Sequence, residues 1–228
     1  MHVPDGFLDT PTSVATGLVA AAAVGLALHR TRRTGIDERT APLLPLVTTV
    51  VFAAQMVNFP VAAGTSGHLM GGVLAAMLLG PALGLLCLSV VLVVQAVVFA
   101  DGGLTALGTN ITLMGVVAIA AGWGVARLAQ RLLPRRPWSV VAAAALGAFV
   151  SVPAASLAFG LLFAVGGQAP LPLDAVLASM VGWHALIGVG EALITAVVVA
   201  VVMATRPDLV HGARPAPRAT RPSEAVPA

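Results

Sequence analysis

Charge is scarce in this sequence: only 9% of its 228 residues are Asp, Glu, Lys or Arg, against 58% hydrophobic. A soluble domain carries about 25% charge, so a water-covered globular protein is excluded. The period-two alternation of a membrane barrel is also missing, which leaves an all-α integral membrane protein. Lysine is absent. All twelve basic residues are arginines, and they cluster at 30–39, 127–136 and 206–221. Such clusters read as a topology signal, and no nucleic acid is expected as a partner. The single cysteine, Cys87, lies in an apolar run. It excludes a disulfide framework and is expected to pack as a small core residue. Residues 1–28 contain no arginine, so they lack the basic start of a removable signal, and the first segment is expected to stay. No internal repeat is evident, which weighs against an inverted-repeat transporter.

The apolar runs predict seven helices, near 12–28, 42–59, 68–80, 82–100, 106–130, 139–165 and 178–204. Pro81 in "GPALG" breaks residues 68–100 into two. With that break all three arginine clusters fall on one side, so the N-terminus is expected outside and the C-terminus inside the cell membrane. The short helix at 68–80 spans only about 20 Å, less than the hydrocarbon thickness. It must therefore be buried by neighbours or begin earlier in its loop. Residues 1–205 form the expected transmembrane domain. The Pro- and Arg-rich stretch 206–228 is expected to be a disordered cytoplasmic tail.

The chain starts "MHVPDGFLD". A free Met1 amine, the His2 amide nitrogen and the His2 ring Nδ1 can close a five-membered and a six-membered chelate ring on one metal ion. The predicted topology puts the loop "PVAAGTSGHLM" on the same face. There His68 follows a glycine-bounded turn and offers a fourth nitrogen. Planar nitrogen coordination suits Cu(II) or Ni(II), and Co(II) where the plane is imposed. An ordinary amine titrates near 7.7–8 and imidazole near 6.5, so protons should compete with metal.

"MHVPDGFLD", "NFPVAAGTSGHLMGG", "FADGGLTALGTNI" and "HALIGVGEALIT" together resemble the signature segments of the CbiM/NikM family, from residue 1 to about 204. These are the substrate-capture (S) subunits of energy-coupling-factor cobalt and nickel transporters. The resemblance implies a six-helix S-component core with an extra N-terminal helix. It implies Ni2+ or Co2+ as cargo, held by the Met1 amine, the His2 amide and ring nitrogens, and His68. It also implies partners: a membrane coupling (T) protein, two cytoplasmic ATPases and a small accessory membrane subunit. The chain is then not an enzyme, and the lack of a G-x-x-x-x-G-K-[ST] loop fits ATP hydrolysis on the partners.

Further polar residues are candidates for supporting or gating the site. Asp9 is expected to cap the first helix, and Asp5 to hold the terminal hook by accepting backbone N–H bonds. Ser66 and Thr65 are expected to order the His68 turn. Gln55 and Asn58 share a helix face and could bond the N-terminal segment. Asp101 and Asn110 bracket a turn-rich stretch able to close over the site. His184 and Glu191 lie on one polar stripe of the last helix. An ionised Glu191 near mid-membrane costs about 2.5–3.5 kcal/mol. It should face the bundle interior with a partner such as Gln95, His184 or Asn110, too deep to bind metal beside an outer terminus. Two rivals remain: a proton-coupled secondary carrier using Asp101 and Glu191 as relays, and an intramembrane metalloenzyme. The latter would need an H-E-x-x-H-type motif, and none occurs.

Overall fold

Asp9 starts the first helix. Its carboxylate accepts the Thr12 N–H at 2.9 Å and Pro11 sits in the opening turn, so α1 runs Thr10–Thr34. The structure is a computed structural model that describes residues 1–61 and 65–213, the side chains of 59–61 and 65–66 aside. Within the described residues six more helices follow. They are α2 (Thr40–Met56), α3 (Gly72–Leu79), α4 (Pro81–Val98), α5 (Leu107–Leu132), α6 (Pro137–Gly166) and α7 (Leu173–Thr205). Five of them are long and apolar enough to cross a membrane, and α2 is a shorter apolar helix. The large apolar side chains left outside, among them Leu18, Val97, Val165, Leu186 and Val197, have lipid as their natural solvent. The chain is a multi-pass membrane protein with these seven helices among its described residues.

Several boundaries differ from expectation: α2 ends at Met56 instead of 59, α7 begins at Leu173 instead of 178, directly after Pro172, and two further shifts have clear physical reasons. α1 continues through the first arginines, because Arg32 and Arg33 in its last turn complement the negative end of the helix dipole. α3 begins at Gly72 instead of 68. Gly71 takes φ +71°, and a Cβ there would meet Val51 Cγ2 at 2.9 Å, so the chain turns before it coils. All eight residues of α3 are buried, and at about 12 Å it is a rod inside the bundle and not a span of its own. A two-stranded hairpin, β1 (Phe59–Val61) with β2 (Thr65–Gly67), precedes it.

α1 is the peripheral helix, burying only Thr12, Thr16, Ala20 and Ala27. It meets α5 through small and hydroxyl residues: Thr16 Oγ1 lies 2.7 Å from Thr109 Oγ1, and a Cβ on Gly108 would reach Gly17 Cα at 2.4 Å. α5 contains a π-helical stretch, Ile111–Val117, directly after Asn110. Such stretches are rare and favour functional regions.

The predicted tail boundary at 206 falls in a described segment. Residues 207–213 fold back under α3: Val210 is buried, and the Gly212 N–H donates to Met77 O at 2.9 Å. Residues 214–228, the rest of the predicted tail, lie outside the described residues.

Candidate metal centre

Three segments converge at one end of the bundle: the chain start, the hairpin loop to Gly71, and the connection from α4 to α5. The first residues are held inside it. Met1 is 1% exposed and His2 5%. Val3 is clasped on both sides: its N–H donates to Asn110 Oδ1 at 2.8 Å, and its carbonyl accepts from Asn110 Nδ2 at 3.2 Å and from the Gly103 N–H at 3.0 Å. Asp5 accepts the Leu104 and Thr105 N–H groups at 3.2 and 2.7 Å, and the Thr105 contacts hold its carboxyl below the usual range. Further along, the Asp9 N–H donates to Gly166 O at 2.7 Å, and the Gln168 N–H to Phe7 O at 3.0 Å. The hook needs glycine opposite it. A Cβ on Gly103 would lie 2.4 Å from Asp5 N, and one on Gly102 would lie 3.1 Å from His2 Cδ2.

The His2 ring stacks on His68, with centroids 4.5 Å apart and planes 28° from parallel. His2 Nδ1 is 3.1 Å from Asp101 Oδ1, and Nε2 is 3.2 Å from Gln95 Oε1. Asp101 is aimed by the end of α4. The Gln95 carbonyl accepts the N–H groups of Phe99 and Asp101 at 3.1 and 3.0 Å, with Ala100 in the left-handed conformation at φ +53°. This is a helix end with alanine at a left-handed position where glycine is usual, and so carries local strain. The other Asp101 oxygen accepts from Asn58 Nδ2 at 3.0 Å.

His68 donates from Nδ1 to the Leu69 carbonyl at 2.8 Å, which leaves its lone pair on Nε2; that atom is buried with no hydrogen-bond partner among the described residues. A backbone carbonyl behind a ligand imidazole is the usual way to fix tautomer and orientation. The loop below is pinned by α7 and α2. Glu191 accepts the Met70 and Gly71 N–H groups at 2.8 and 2.6 Å, and Gln55 Nε2 donates to Met70 O at 2.6 Å.

Several expectations change accordingly. Glu191 pairs with backbone N–H groups, not with Gln95, His184 or Asn110, because the His68 loop sinks to its depth. Gln55 holds that loop and Asn58 holds Asp101; Asn58 lies beyond the end of α2, so the two no longer share a helix face. His184 turns Nδ1 to the Met180 carbonyl of its own helix at 2.7 Å. The side chains of Ser66 and Thr65 lie outside the described residues. Gln95 enters as a contact of His2. A lone carboxamide in the apolar run "VVQAVV" was its only sequence signal, and nothing local said which helix it faced.

Electrostatics favour bare nitrogen donors. Burial pushes the Met1 amine down to about 4, with Asp101 opposing the shift. Burial, helped by the neighbouring amine and the His2 and His184 rings, lowers His68 well below its ordinary 6.5. Asp101 is lowered, chiefly by its hydrogen bond with His2. Among the described residues, no three His, Cys, Asp or Glu side chains group in a way that could hold a metal.

The buried, nitrogen-rich residues 1–3, clasped between helices, define the class: a helical membrane protein with a polar cluster sunk in one end of its bundle. Residues 2–209 match the CbiM family, described as the cobalt uptake substrate-specific transmembrane region, and the chain belongs to that family. It is 37% identical over 211 residues to an Archaeoglobus fulgidus protein provisionally named a fused nickel transport protein, NikMN, covering 92% of this chain and 68% of that one. It is 39% identical over 210 residues to a Haloquadratum walsbyi protein provisionally named for metal transport, covering 92% and 93%. A crystal structure of a truncated transition metal transporter superposes with a TM-score of 0.79 at 28% identity, over 90% of this chain and 99% of that one.

Proposed function

We propose that this protein captures Ni2+ or Co2+ as the substrate-specific subunit of an ATP-driven energy-coupling-factor transporter. The ligands in this reading are the Met1 amine, the His2 amide and ring nitrogens, and His68 Nε2. The carrying observation is the stacked His2–His68 pair beside a buried amine whose pKa is depressed to about 4. Two of the donors then have little proton to lose at neutral pH. His2 Nδ1 meets Asp101 at 3.1 Å, so metal capture exchanges that carboxylate for the ion. Affinity alone favours copper over nickel and cobalt, and selectivity rests on the rigidity of the clasp and on metal supply.

The element order supports the orientation. Arginines 30–39, 127–136 and 206 all lie at the end opposite His2 and His68, and the positive-inside rule puts that end in the cytoplasm. Metal then enters from outside. Inward release is coupled to a membrane T protein, two cytoplasmic ATPases and a small accessory subunit. A proton-coupled carrier is less well supported, because both Glu191 oxygens are occupied by backbone N–H groups.

The test is Ni2+ and Co2+ titration of purified protein beginning at Met1, beside a version with one added residue. The expected outcome is tight binding only by the first. Equal affinity for both would refute the chelate. ATP-dependent uptake only when coupling-protein and ATPase genes are co-expressed checks the partnership, whereas uptake without them, driven by a pH gradient, would favour the carrier.

A further inference from the structure

His184 is wholly buried, and its Nε2 has no hydrogen-bond partner among the described residues. The proposed chelate does not use it. Nδ1 donates to Met180 O at 2.7 Å, and a second proton on Nε2 would be a buried charged N–H with no acceptor among the described residues, so the ring is the neutral tautomer with its lone pair on Nε2. A buried acceptor without a donor is unfavourable and calls for a reason. The surroundings supply one. Met180 and Ile187, the turns on either side of His184, share one buried cluster with Met1, Val3 and Met70. The His184 ring also lies within electrostatic reach of the Met1 amine and the His68 ring.

An amine bound to a metal through its lone pair keeps two N–H groups. At a position as buried as Met1, those hydrogens need acceptors inside the protein. We propose that His184 is a positioning residue for the metal-bearing terminus: its Nε2 accepts an N–H of the Met1 amine and turns the amine lone pair toward the ion shared with His68. The relay runs from the Met180 carbonyl through the imidazole to the amine. This inference rests on the proposed chelate and adds to it a member that touches no metal.

The experiment compares full-length wild type, His184→Leu and His184→Gln, all beginning at Met1, by Ni2+ titration, nickel X-ray absorption and metal-free thermal unfolding. Leucine fills the site without an acceptor, and glutamine restores one through its side-chain carbonyl. The expected result is a loss of about 10–100-fold in Ni2+ affinity for leucine, the range for losing a partner of a metal ligand. Glutamine should recover it to within about threefold, with the same nitrogen count in all three and no fall in metal-free stability. Unchanged affinity in the leucine variant, or equal losses in both variants, overturns the proposal. A nitrogen count that drops by one with leucine makes His184 a ligand and also overturns it. If the wild type binds Ni2+ equally well with a residue added before Met1, the chelate itself fails and this inference falls with it.

Discussion

Each end of α3 is covered by a segment near one end of the chain, and the two covers are built on different principles. At the His68 end the cover is residues 1–8, and the contact is polar and incomplete. His68 Nε2, Gln95 Nε2 and His184 Nε2 are all buried without a partner among the described residues. At the other end the cover is residues 207–213, and the contact is satisfied. The Gly212 N–H takes the Met77 carbonyl, one of the acceptors the last turn of a helix leaves open. Gln130 Nε2 donates to Gly212 O at 2.8 Å, Arg127 Nη1 donates to Gln130 Oε1 at 2.9 Å, and Val210 packs into the core. His211 lies against Gly80, the residue that breaks α3 from α4; a Cβ there would meet His211 Nε2 at 2.9 Å. One end leaves two imidazole nitrogens and an amide N–H bare, and the other pairs the groups its cover brings in.

Changes at the two ends should therefore read out differently. The largest effect is expected from one residue added before Met1. Ni2+ affinity should fall by at least about 100-fold, because the amine leaves the chelate, while deleting residues 207–228 should change affinity by no more than about twofold. Next comes Gly103→Ala, whose Cβ collides with the Asp5 backbone. Metal affinity should drop by about tenfold as the clasp loosens, with little change in thermal unfolding. Its mirror is Gly80→Ala, at φ +86°. That change should cost about 1–2 kcal/mol of stability, seen as a lower melting temperature with Ni2+ affinity intact. A melting loss for Gly103→Ala and an affinity loss for Gly80→Ala would erase the distinction.

The smallest effect is a slope. The free amine titrates near 8.0 and the seated amine near 4. If the clasp is seated before metal arrives, the amine carries no proton at neutral pH and only the His2 amide proton is displaced. The logarithm of Ni2+ affinity should then rise by about one per pH unit between roughly pH 7 and 8. An unseated, protonated amine would add a second proton and a slope near two just below its ordinary value. A pH series of competitive titrations separates the two.

Much of this was legible in the residues. Hydropathy and Pro81 marked seven helices, and the arginine clusters marked one end. The "MH" start and "SGHLM" marked the nitrogens that the proposed chelate uses. Other features were not legible, because they are agreements between distant segments. That Gln95 faces His2 is a contact across 93 positions, and that Glu191 holds the His68 loop spans 121. The periodicity of α7 put His184 and Glu191 on one stripe, yet it could not say that one bonds its own helix and the other a sunken loop.

The sequence by itself determined that this chain crosses a membrane repeatedly and which end carries its arginines. Both follow from local transfer and charge energies, summed along each segment. Only the tertiary structure decided which polar atoms of the donor end find partners and which stay bare. A hydrogen bond needs its two groups within about 3 Å, and nothing short of the whole packed bundle sets that distance.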